Sequence, residues 1–96
     1  MTSISEVEFA KLCQGIYDDR ESIIKHNPIG PPEEILLWML LSCLISYLNL
    51  SEGDTAHLTG NTDVKTFGDA ILFVLKDRRV DGFDPGKYLR KFEDDN

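Results

Sequence analysis

From Ile35 to Leu50 the chain reads Ile-Leu-Leu-Trp-Met-Leu-Leu-Ser-Cys-Leu-Ile-Ser-Tyr-Leu-Asn-Leu, a run with no charge in which only Ser42, Ser46 and Asn49 are plainly polar. Pro31 and Pro32 followed by Glu33 and Glu34 mark its start as a helix. Proline in a first turn loses an N–H that has no partner there anyway, and acid meets the positive end of the helix dipole. A helix that is apolar on most sides instead of along one stripe must be packed on several sides in a water-soluble protein. The rest of the chain therefore has to supply its cover.

A membrane span is the rival reading, and the run argues against it. Crossing a bilayer core takes about 20 apolar residues. This run is shorter, and it is bounded by Glu33 and Glu34 on one side and Glu52 and Asp54 on the other. No Lys or Arg stands close to either end to fix an orientation. The apolar run begins mid-chain instead of behind a basic N-terminal region, so no signal peptide is expected and cytoplasmic residence is the expectation.

The cover can be read segment by segment. Ser3 and Ser5 each precede a glutamate by three residues, the spacing of a capping box, so a helix is expected over about 4–26, with Phe9, Cys13, Ile16, Ile23 and Ile24 on its apolar side. Asn27-Pro28 ends it, because the residue before proline is pushed out of helical geometry. The central helix then occupies about 32–49. Residues 51–62 read as a loop, with a short helical turn around Asp54 to Leu58 as the alternative.

A third helix over about 63–79, capped by Asn61 or Thr62, puts Val64, Phe67, Ile71, Val74 and Leu75 on one face. The run Ala70 to Leu75 is also compatible with a buried strand; length and caps favour the helix. Asp81-Gly82 makes a turn, Asp84 caps, and Pro85 opens a final helix over about 85–92. The fold expected is all-α: one small four-helix domain, 1–96, packed around a central hydrophobic helix.

Composition narrows the function classes. The 96 residues carry a net charge of −7, which opposes a general nucleic-acid or anionic-membrane surface and leaves basic proteins open as partners. Six of the ten basic residues nevertheless lie between 76 and 91. Arg78, Arg79, Lys87, Arg90 and Lys91 are thus candidates for an anion or partner patch, against the plainer reading of cations at helix ends on a solvated face. Cys13 and Cys43 fall in apolar helical patterns without metal-ligand spacing, and read as reduced, buried thiols.

The residue types of catalysis are present without assembling. Glu52, Asp54 and His57 share the 51–62 segment and are the candidates for a metal, although metal centres usually show more ligands at tighter spacing. Asp18, Asp19 and Glu21 sit on an outer helix face, and the central helix carries no inward acid to form a second pair opposite them. No cofactor is implied, and the chain does not read as an enzyme.

What remains is coverage. Two long amphipathic helices and one short one are few for a helix that needs neighbours all round. A symmetric homodimer through Trp38, Ser42, Cys43 and Ser46 is the expected remedy. The primary expectation is a non-enzymatic protein–protein interaction or regulatory module. The alternatives are a small acidic inhibitor or immunity-type protein that binds a basic partner, and a metal or small-ligand site at 52–57.

Overall fold

The computed structural model describes residues 4–28, 30–75 and 84–93. Among them the chain is all-helical: α1 (Glu6–Asp18), α2 (Arg20–His26), α3 (Pro32–Leu48), α4 (Glu52–Leu58), α5 (Val64–Leu75) and α6 (Pro85–Leu89), followed by a 3-10 turn at Arg90–Phe92. The described residues thus hold six helices where four were expected.

The single helix expected over 4–26 divides at Asp19, whose ψ of 12° leaves the helical ladder. The carbonyls released there are not abandoned. The Asp19 N–H bonds back to Gly15, and the Arg20 guanidinium donates to the Tyr17 carbonyl at 2.8 Å while lying over the Tyr17 ring. The Asp18 carboxylate accepts from the Gln14 amide at 2.7 Å and Asp19 makes no side-chain cap to α2, so the break is held by the backbone and by Arg20. The break separates α2 from α1, and both pack on α3.

The segment 51–62, expected to be a loop with at most a short helical turn at Asp54 to Leu58, contains a helix that takes in that turn and begins two residues earlier. Ser51 accepts from the Asp54 N–H at 3.1 Å and starts α4, and Leu58 is buried at its end. Asn61, expected to cap the next helix, instead donates to the carbonyls of His57 and Leu58 and closes α4. Asp63 caps α5 through the Thr66 N–H at 2.9 Å. α5 resolves the helix-or-strand alternative for 70–75 in favour of helix, with Val64, Phe67, Ile71 and Val74 buried at helical spacing. Residues 76–79 of the expected third helix, and the Asp81-Gly82 turn, lie outside the described residues.

Around α3 these pieces close a core. Ile35, Leu36, Leu37, Leu40, Leu41, Leu44 and Leu48 are all buried, and α1, α2, α5 and the 3-10 turn pack against them. With its buried residues distributed around so much of its circumference, α3 has little amphipathic character of its own. Its C-terminus is stopped by Asn49 in the left-handed conformation, φ 51°. No helix among the described residues is long and apolar enough to cross a membrane.

Charged side chains fix the helix ends to one another. Glu33, in the first turn of α3, accepts the Val64 N–H at 2.9 Å and so satisfies an open donor at the start of α5. Glu33→Ala should lower unfolding stability by about 1 kcal/mol, since it strips an N-terminal cap supplied from another helix. A urea melt would show a lower midpoint with an unchanged slope; an unchanged midpoint would mean that water caps Val64 equally well.

Candidate functional site

The longest exposed line of α3 runs along one side, while Tyr47 is exposed on the opposite side, toward α1. Trp38, Ser42, Ser46 and Asn49 follow one another at three-and-four spacing and are exposed, flanked by the half-buried Met39, Cys43 and Ile45. Trp38 is 50% exposed in a helix whose other large side chains are mostly buried. Ser42 donates its hydroxyl proton to the Trp38 carbonyl at 3.1 Å, the back-bond common for serine inside helices. Of the four residues expected at an interface, Trp38, Ser42 and Ser46 lie on the exposed line and Cys43 on its shoulder.

Beside Trp38 the surface is concave. Where the connector after α2 meets α3, Asn27, Gly30, Glu34, Ile35, Trp38, Met39 and Ser42 enclose a groove of about 420 Å³. Its floor is apolar, from Ile35 and Met39. Among these described lining residues Glu34 alone is charged. A Cβ on Gly30 would meet the Glu34 carboxylate at 3.5 Å, so the connector runs close over the start of α3 at that point.

Glu52, Asp54 and His57 lie on α4 instead of a loop, and the helix spreads them. Asp54 and His57 are one turn apart, whereas Glu52 faces away from Asp54. The His57 ring lies against Phe73 of α5, centroids 4.3 Å apart and tilted by 45°. Among the described residues no group of three or more His, Cys, Asp or Glu side chains is placed to hold a metal ion.

The basic patch does not act as one surface over its described part. Lys91 turns back to α1, donating to Gln14 at 2.6 Å with its ammonium 5.6 Å from the Tyr17 ring. Lys87 lies over the Tyr88 ring. Arg90 lines a second groove of about 280 Å³ between α5 and α6, shared with Lys65, Asp69, Asp84 and Glu93, where both charge signs are present. Arg78 and Arg79 lie outside the described residues.

Two contacts had no signal in the sequence. The Tyr47 hydroxyl donates to the Glu8 carboxylate and the Tyr88 hydroxyl to the Glu6 carboxylate, so α1 is clasped at its first turn by α3 and by α6. Each bond pushes the phenol above its ordinary range, chiefly because the carboxylate accepts the phenolic proton. Glu8 also completes the capping box with Ser5. Acids read from sequence as helix-start residues therefore also serve as long-range acceptors.

Compared with family models, curated proteins and solved structures, the chain matches none.

Both thiols are free, and they differ in environment. Cys13 is fully buried, and burial pushes its pKa up to about 12 despite the opposing pull of Lys91. The neutral thiol is thus the form the fold favours. The stability this contributes is complete below about pH 9 and is lost as pH rises toward 12. An aromatic disulfide reagent at pH 8 should label the half-buried Cys43 first and Cys13 about a hundredfold more slowly, in step with unfolding. Equal labelling rates would contradict the burial of Cys13.

Proposed function

We propose that this chain is a non-enzymatic protein–protein interaction module that pairs with a second copy of itself across the exposed line of α3. The observation that carries this reading is Trp38, a half-exposed indole near the start of a surface strip that bears no charge from Ile35 to Leu50. A chain of net charge −7 repels its copies, and the Ile35 to Leu50 strip is where two can meet without opposing carboxylates. Burying the indole supplies apolar area and an anchor of the kind that dominates interface energetics.

Geometry favours a symmetric, antiparallel crossing. With the two-fold axis at Ser42, Trp38 of each copy falls against Ser46 of the other, large against small. The short Ser42 side chains at the crossing let the helix axes approach to about 8–10 Å.

Light scattering on a size-exclusion peak at several concentrations tests the pairing, with a dimer mass that falls on dilution as the expected result. Trp38→Ala should weaken association by about tenfold to a hundredfold while leaving the circular dichroism spectrum unchanged. In a Cys43→Ser background, Ser42→Cys should form a disulfide-linked dimer on mild oxidation, whereas Glu21→Cys on α2 should not. A protein monomeric at every concentration would overturn the reading.

A further inference from the structure

The groove beside Trp38 has a chemistry of its own. Glu34, Trp38 and Ser42 lie on one line of α3 at successive four-residue steps, so the carboxylate stands one turn from the indole. The donors around the groove are partly spent: the Ser42 proton goes to the Trp38 carbonyl, and an Asn27 amide N–H goes to the Ile23 carbonyl at 2.9 Å. The Glu34 carboxylate, the Ser42 oxygen and the electron-rich face of the indole remain as electron-donating surfaces. No Lys or Arg is among the described lining residues, so the groove offers nothing to balance an anion.

We propose that this groove binds a small organic cation, an ammonium group carried on an apolar body. The charged head lies over the Trp38 face within reach of Glu34, and the body rests on Ile35 and Met39. A volume of about 420 Å³ suits such a ligand. Aromatic faces paired with a carboxylate recognise alkylammonium groups because the ring quadrupole attracts a cation that is only weakly hydrated. The inference goes beyond self-association and does not rest on it. Because Trp38 belongs to both surfaces, the cation and the second copy compete.

Trp38 is the only tryptophan in the chain, so its emission reports on the groove directly. The full-length protein is titrated with choline and, separately, with its neutral isostere 3,3-dimethylbutan-1-ol, with ionic strength held constant by sodium chloride. Saturable change of Trp38 emission by choline, and at least about tenfold weaker response to the isostere, is the expected result. Glu34→Gln should weaken choline about threefold to tenfold and leave the isostere unaffected, while Glu52→Gln on α4 should change neither.

An absent or unsaturable response, or equal response to the two compounds, overturns the inference, and the contrast between them on the unaltered protein holds whatever the variants do. Light scattering on the same samples separates the two readings. The titration is made at a dilution where light scattering gives the monomer mass, so that no second copy covers Trp38: a saturable response there sustains the cation site and its absence overturns it, while a dimer mass at higher concentration sustains pairing independently.

Discussion

Burial of α3 is the constraint on which every other element depends. A helix with no charge between Glu34 and Glu52 cannot be solvated, and its seven buried side chains are met by α1, α2, α5 and the terminal 3-10 turn. The break at Asp19 follows from this demand as much as from local preference: it gives the N-terminal segment two helical pieces, each laid on α3. The short α4 buries Leu58, and α5 brings Phe67 and Ile71 into the same core. What stays outside is the line of α3 that carries Trp38, Ser42 and Ser46, with Tyr47 exposed on the opposite side.

Acidic residues do more here than confer solubility. Glu6, Glu8 and Glu33 accept hydrogen bonds from partners far away in sequence, and Ser51, Asp63 and Asp84 close helix starts locally. The bonds to Glu33, Ser51, Asp63 and Asp84 satisfy backbone donors that a helix start leaves open, whereas those to Glu6 and Glu8 hold tyrosine hydroxyls of other helices. In a protein assembled from short helices, ends are a large share of the backbone, and capping groups become a structural necessity. A surplus of carboxylates is therefore a poor guide by itself to an acidic binding surface.

The all-helical class was legible because it rests on local spacing: the Pro-Pro-Glu-Glu start before Ile35, the Asp84-Pro85 start, and the buried repeat of Val64, Phe67, Ile71 and Val74. The helix count was not, because Asp19 interrupts a pattern whose apolar phase continues from Ile16 to Ile23, and periodicity does not register a break that keeps its phase. α4 was legible only as a short helical turn at Asp54 to Leu58, since Glu-Gly-Asp-Thr-Ala-His-Leu has turn-forming composition and is held as a helix by Ser51 and by Asn61.

The exposed line of α3 could be read from the spacing of Ser42 and Ser46. The groove beside it could not, for it is made where a glycine-proline connector crosses Glu34, and no local pattern encodes that meeting. Glu52, Asp54 and His57 illustrate the converse: adjacency in sequence suggested convergence, and the helical turn of α4 separates Glu52 from the others.

The clasp on α1 also bears on the order of events during synthesis. Glu6 is tied to Tyr88, and Gln14 to Lys91, across separations of 82 and 77 residues. Phe9 meets the Tyr88 ring edge-on as well. α1 thus finds part of its packing only among residues translated about eighty positions after it. Until they emerge, α1 is a short helix with its apolar side incompletely covered, and closing so long a loop carries an entropic cost that local helix formation does not. A polypeptide stalled before Tyr88 would hold α1 against α2 and α3 without the clasp that completes it.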